Sequence, residues 1–220
     1  MNKKNVVAIF KIFKENCANP KTELKYGNGF QLLVAVILSA QSQDKVVNQV
    51  TEQLFKKVNS PADMMNISLA ELVEYIKKLG LFRTKAANIK KTSQILEEKF
   101  NGQVPEHRKE LETLPGVGKK TAAVIVNSLY NQLAIAVDTH VFRVSNRLGL
   151  VSTTKAEKTE DELVKVIPKW GLLNAHHWLV LHGRYVCVAR KPKCDDCYLS
   201  EYCEYRIANI KANKLIKNRP

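Results

Sequence analysis

Long apolar runs are missing from this 220-residue sequence. The longest, Leu32 to Leu38, falls far short of the ~20 residues that span a bilayer, so no membrane segment is expected. No secretory leader is expected either. In MNKKNVVAIFKIFKEN, Lys11 and Lys14 interrupt the apolar part and no small-residue cleavage site follows. A cytoplasmic protein with reduced thiols is therefore expected, nucleoid-associated if the source is bacterial. Acidic residues are scarce beside basic ones, 21 against 35, which leaves a formal charge of +14 and a pI near 9.6. That balance suits a polyanionic partner, nucleic acid above all, although a well-solvated lysine-rich surface gives the same count. Alternating apolar and polar residues are rare too, and only Gln132 to Val137 reads as a strand candidate. There is no internal repeat and no low-complexity segment.

What remains is helical. With 45% apolar residues and a mean hydropathy of -0.23, the chain can bury a substantial core. Val6, Ile9, Phe10 and Phe13 recur at i, i+3, i+4 and i+7, one apolar stripe. The stretch FQLLVAVILSA from Phe30 is apolar all round and reads as a central buried helix. Asp44 introduces a further amphipathic segment with Val46, Val47, Val50 and Leu54 on one face. Ser60-Pro61 is an N-cap followed by proline at the first helical position. Ser68 with Glu71, and Thr154 with Glu157, have capping-box spacing. A helix is expected from about Thr84 to Phe100, others over Lys119–Tyr130 and through LLNAHHWLVLHGRYV, and a frayed basic tail from Ile210. The fold class is all-α.

Against this background LPGVGKKTA, Leu114 to Ala122, stands out: one proline and two glycines within four positions, then two lysines at the start of a helix. The macrodipole disfavours cations there. Gly116 and Gly118 permit a tight turn with positive φ and close approach of another backbone. The free N–H groups of the following helix would then face outward as an anion site. A phosphate bound there would reverse the penalty on Lys119 and Lys120. The alternative is an ordinary αα-hairpin with glycine at a helix C-cap.

Two further features carry chemistry. A lysine at a helix N-terminus, beside another lysine and partly desolvated, is favoured as the free amine that a Schiff-base nucleophile requires. Lys119 and Lys120 point about 100° apart, and these influences alone do not choose between them. Asp138, in AVDTH, reads first as an N-cap. The cysteines are few, but Cys187, Cys194, Cys197 and Cys203 follow a C-x6-C-x2-C-x5-C spacing. Disulfides are disfavoured without a secretion signal, while structural zinc and an iron–sulfur cluster both remain open. Cys17 stands apart and reads as a small buried hydrophobe.

Taken together, LLVAVILSAQSQD, the LPGVGKKTA hairpin, VDTHVFRVSNRLG and the cysteine cluster resemble, in order and spacing, the DNA glycosylase superfamily that includes endonuclease III. The resemblance runs from about residue 5 to 210 and implies two helical lobes. One, of residues 22–132, carries the helix-hairpin-helix motif; the other joins residues 1–21 to 133–220 around a C-terminal [4Fe–4S] loop held by Cys187, Cys194, Cys197 and Cys203. It implies Lys120 as nucleophile and Asp138 as its acid/base partner, in a cleft between the lobes. Gln41 would enter the space opposite a flipped base and Leu81 would wedge into the stack, although Leu81 by itself reads as a hydrophobe just past a helix end. Gly116, Gly118 and His140 would contact the DNA backbone, with Arg190, Lys191 and Lys193 as a second grip.

The implied activity is removal of oxidised pyrimidines from duplex DNA and nicking 3′ to the site by β-elimination. The partner is duplex DNA holding a damaged base or abasic site, and the protein a monomer. Rival readings are a pyrimidine-dimer glycosylase, an adenine glycosylase acting on mispairs (members of that kind lack the hairpin lysine), and a non-catalytic DNA-binding module or zinc-containing regulator.

Overall fold

The computed structural model describes residues 1–217, which form helices and loops with no strand among them. In chain order the helices are α1 (Lys3–Asn16), α2 (Gly29–Ser39), α3 (Asp44–Leu54), α4 (Pro61–Asn66), α5 (Leu69–Ile76) and α6 (Phe82–Phe100). Then come α7 (Arg108–Leu111), α8 (Lys119–Tyr130), α9 (Thr139–Leu148), α10 (Ala156–Val166), α11 (Lys169–Tyr185) and α12 (Glu204–Lys217). A single 3-10 turn, Ser200–Tyr202, precedes α12. The chain divides into two compact units, Thr22–Gln132 and a second that joins Met1–Lys21 to the chain from Leu133 onward.

The contiguous unit is built around α2. Every residue from Phe30 to Leu38 is buried, because α3, α6 and α8 all pack against this helix. The one polar side chain in that buried stretch is hydrogen-bonded at both ends of its amide: Gln31 Oε1 accepts from Gly27 N at 2.7 Å and Nε2 donates to Val58 O at 3.0 Å. An unpaired amide there would cost about 1–3 kcal/mol. Ser60 and Asp63 form a complete capping box ahead of Pro61, and Lys90 closes the other end of α4 by donating to the carbonyls of Met64, Met65 and Ile67.

In the discontinuous unit, Val6, Ile9, Phe10 and Phe13 of α1 are buried against a core that includes Trp178 of α11. Each such side chain contributes about 1.5–3 kcal/mol. Phe13 stacks on Trp178 with ring centroids 6.1 Å apart, and the Trp178 indole N–H donates to Cys17 O at 2.7 Å. Helices α9 and α11 approach closely at Gly183, where a Cβ would stand 2.8 Å from His140 Cβ.

Several local expectations change. Thr154 and Glu157 form no capping box: α10 starts one residue later, with Lys155 at an N-cap that makes no side-chain hydrogen bond. Helix α6 begins at Phe82, ahead of Thr84, because Leu81 takes a left-handed conformation and starts it. The segment from Ile210 is helical to Lys217; residues 218–220 of that tail lie outside the described residues. Cys17 is half-buried, at the edge of its core.

Candidate active site and cysteine loop

The hairpin is a short turn pinned from below. Leu111, Leu114 and Val117 are buried, and Val117 N donates to Leu114 O at 3.0 Å. Thr92 of α6 donates through Oγ1 to Pro115 O at 2.9 Å. Gly116 has φ +80, and a Cβ on it would meet Asn88 at 3.1 Å and Ile37 at 3.3 Å, so both conformation and space require glycine. Gly118 differs from the expectation. Its φ is -95, open to any residue, and a Cβ there would meet nothing within 4 Å. Gly118 is the N-cap of α8, and no side chain caps this helix. The first-turn N–H groups, which have no intrahelical acceptor, therefore begin at a position stripped of side chain.

Lys119 and Lys120 occupy the first two positions of α8, and both are exposed. The partial desolvation expected for Lys120 is thus not supplied by the protein itself. Gln41 and Leu81 lie on neighbouring loops of the same unit: a Cβ on Gly80 would stand 3.8 Å from Gln41 O. Both residues are non-glycine and left-handed, with φ 54 and 56. Leu81 is 60% exposed, so it does not act as a packed hydrophobe past a helix end.

In the other unit Asp138 is the N-cap of α9. Its Oδ1 accepts from His140 N and Val141 N, both at 2.8 Å. The His140 ring is engaged within its own helix, with Nδ1 3.2 Å from Arg143 Nη2. Arg143 and Arg147, unmarked by the sequence reading, tie α9 to the cysteine loop. Arg143 Nε donates to Cys187 O at 3.0 Å and Nη2 to Gly183 O at 2.9 Å. Arg147 donates to Val188 O at 2.9 Å and Ala189 O at 3.0 Å, and its Nη1 lies 3.5 Å from Cys187 Sγ. Their i, i+4 spacing on the helix after Asp138 was the signal available.

Cys187, Cys194, Cys197 and Cys203 line one cavity together with Leu148, His182 and Pro192. Burial pushes the Cys197 and Cys203 thiols up, and neighbouring thiols add to the effect. Such thiols resist ionisation until a metal displaces their protons. Zinc would draw four sulfurs to about 2.3 Å from one point. The four thiols set around one cavity suit either zinc or a cluster whose separate irons each take one thiolate. Arg190, Lys191 and Lys193 are exposed on the same loop.

An all-helical fold with a glycine hairpin, an uncapped lysine-bearing helix and a four-thiol loop defines a class. Residues 34–169 match the HhH-GPD superfamily of base excision DNA repair proteins, and the chain belongs to it. Residues 187–203 match the iron–sulfur binding domain of endonuclease III, which identifies the cofactor of the four cysteines as an iron–sulfur cluster. The chain is 48% identical to endonuclease III of Haemophilus influenzae over 206 residues, covering 94% of this chain and 98% of that one. It is 51% identical to endonuclease III of Rickettsia conorii over 197 residues, 90% of this chain and 94% of that one. A solved structure of a trapped endonuclease III–DNA covalent intermediate superposes with a TM-score of 0.88 at 41% identity, over 96% of this chain and 99% of that one. Within the superfamily, then, its place is in the endonuclease III family: a bifunctional DNA glycosylase and abasic-site lyase of base excision repair. No helix of the described residues is long and apolar enough to cross a membrane.

Proposed function

We propose that this enzyme removes oxidised pyrimidines from duplex DNA and nicks the strand 3′ to the site, with Lys120 as nucleophile. The observation that carries this reading is the start of α8, where an uncapped helix N-terminus presents two lysines directly after a glycine turn. Duplex phosphate held on the first-turn N–H groups brings a sugar to these amines and covers them, which supplies the desolvation the free protein lacks. The trapped covalent intermediate of the related endonuclease III supports a covalent route, and the family pattern assigns the second lysine of the pair.

The target base is unstacked and flipped, at a cost of a few kcal/mol. Gln41 fills the space opposite and Leu81 enters the stack. The lone pair of Lys120 Nζ forms the bond to C1′ as the electrons of the glycosidic bond leave with the base. The amine proton then passes by way of Asp138 to the ring oxygen O4′ as the C1′–O4′ bond breaks, which leaves an iminium between Nζ and C1′. Removal of a 2′ proton then sends its electron pair toward the iminium and expels the 3′ phosphate. Asp138 stabilises the developing sugar cation and exchanges protons with the amine. Gly116, Gly118 and His140 meet the backbone, and Arg190, Lys191 and Lys193 hold a further phosphate. A [4Fe–4S] cluster on Cys187, Cys194, Cys197 and Cys203 ties this loop together. The protein acts as a monomer, in the cytoplasm, and at the nucleoid if its source is bacterial.

Borohydride trapping on duplex DNA with an abasic site tests the assignment. Lys120→Ala loses both the covalent adduct and strand scission while still binding the duplex, because the hairpin donors are backbone groups. Lys119→Ala keeps the adduct. Scission retained by Lys120→Ala would overturn the assignment.

A further inference from the structure

Lys85 is 4% exposed, in the stripe of α6 that otherwise buries Ala86, Ile89, Thr92, Ser93 and Leu96. A buried ammonium is costly unless its donors are used, and burial pushes Lys85 below the usual lysine range. Its Nζ donates to Leu38 O at 2.8 Å and to Ser42 Oγ at 2.9 Å. These acceptors lie on either side of Gln41. Leu38 belongs to the last turn of α2, where carbonyls lack helical donors and a cation is favoured. The backbone N–H of the same lysine donates to Leu81 O at 3.0 Å.

The lysine side chain therefore ties the Gln41 loop to α6, the helix that Leu81 starts and whose first-turn main-chain bond to Leu81 O any residue here would make. Each loop carries a non-glycine residue at positive φ, a conformation that leucine rarely adopts and that persists only where its surroundings fix it.

We propose that Lys85 is a positioning residue that locks the Gln41 and Leu81 loops into one preformed wedge before DNA arrives. The inference rests on the reading of Gln41 and Leu81 as the residues that enter the duplex. A wedge set in advance spends no binding energy on ordering two loops, and a misplacement of about 1 Å costs about 100-fold in rate.

Lys85→Met keeps an unbranched apolar stem, one atom shorter, and removes the Nζ donors. Single-turnover excision from a lesion duplex, with 2-aminopurine beside the lesion to report unstacking, is compared with scission at an abasic site in single-stranded DNA. The variant should keep its helical circular dichroism and lose 2-aminopurine amplitude. Excision should slow about 10- to 100-fold, single-strand scission far less, and Lys85→Arg should recover most of the loss. Equal loss on both substrates, or no loss on either, overturns the proposal. Gln41→Ala/Leu81→Ala is measured alongside: if that double variant flips and excises normally, the wedge reading falls and this inference with it. If the double variant is impaired while Lys85→Met is not, only the present inference falls. Should Lys85→Met fail to fold, Ser42→Ala removes one acceptor and must show a smaller loss of the same kind; an unimpaired Ser42→Ala then overturns the proposal.

Discussion

The hydroxyl of Thr92 donates to the carbonyl of Pro115 across 2.9 Å, so α6 holds the hairpin turn from beneath. Thr92→Val keeps the shape and removes the donor. A half-buried carbonyl left without a partner costs about 1 kcal/mol. The urea midpoint of the variant should fall accordingly, and its affinity for undamaged duplex should fall with it as the turn loosens. An unchanged midpoint would remove Thr92 from the support of the turn.

The two hairpin glycines should separate stability from binding. Gly116→Ala forces alanine to φ +80 against Asn88 and Ile37, and should cost about 2 kcal/mol of stability, the scale of a left-handed residue. Gly118→Ala meets no neighbour and replaces an N-cap that makes no side-chain bond, so its cost should be about 0.5 kcal/mol. On the proposed reading, however, its methyl group stands on the face that phosphate would approach. Duplex affinity should drop about tenfold, the equivalent of 1.4 kcal/mol. Thermal melts and fluorescence anisotropy read the two effects apart. Full affinity in Gly118→Ala would show that the backbone there does not touch DNA.

Asp138 caps α9, and substitution can divide that cap from the catalytic role proposed for it. Asparagine caps a helix as well as aspartate, so Asp138→Asn should keep the melting temperature while excision slows about 100- to 1000-fold from loss of the charge. Asp138→Ala should add a folding cost of about 1 kcal/mol, the cap itself. If Asp138→Asn turns over like the parent, the carboxylate is only a cap.

Burial pushes the His177 imidazole below the usual histidine range. The unfolded chain therefore takes up a proton at a pH where the folded chain does not, and stability falls as pH drops below about 6.5. It stops falling on this account once the folded histidine also titrates. Urea midpoints at pH 7.5 and 5.5 should differ more for the parent than for His177→Gln. Equal differences would show that His177 does not contribute to acid sensitivity.

Features set by local rules were legible in the sequence. The all-apolar α2, the stripe of α1, the Ser60-Pro61 start and the span of α8 follow from periodicity and capping, which act over one or two turns. Gly116 was readable because positive φ leaves a glycine. The misses lie where a helix starts at another residue than its spacing suggests, or where a distant element supplies the partner. The Thr154–Glu157 spacing is correct for a box, yet α10 starts at Ala156. Leu81 looks like a packed hydrophobe until its left-handed backbone turns it outward. Lys85, Arg143 and Arg147 read as surface charge among thirty-five basic residues. Only the carbonyls facing them, from segments 40 or more positions away for the arginine contacts on the cysteine loop and 47 for Lys85 with Leu38, give them work.

The bond from the Trp178 indole to the Cys17 carbonyl spans 161 positions, and this has a consequence on the ribosome. The Thr22–Gln132 unit is continuous and can fold as it emerges. Helix α1 must wait for α11. At 5–20 residues per second the delay is on the order of 10 to 30 s, during which Val6, Ile9, Phe10 and Phe13 have no wall to rest on. The first part of the chain to be made is thus among the last to be finished, and a nascent-chain chaperone would find its most persistent greasy target there.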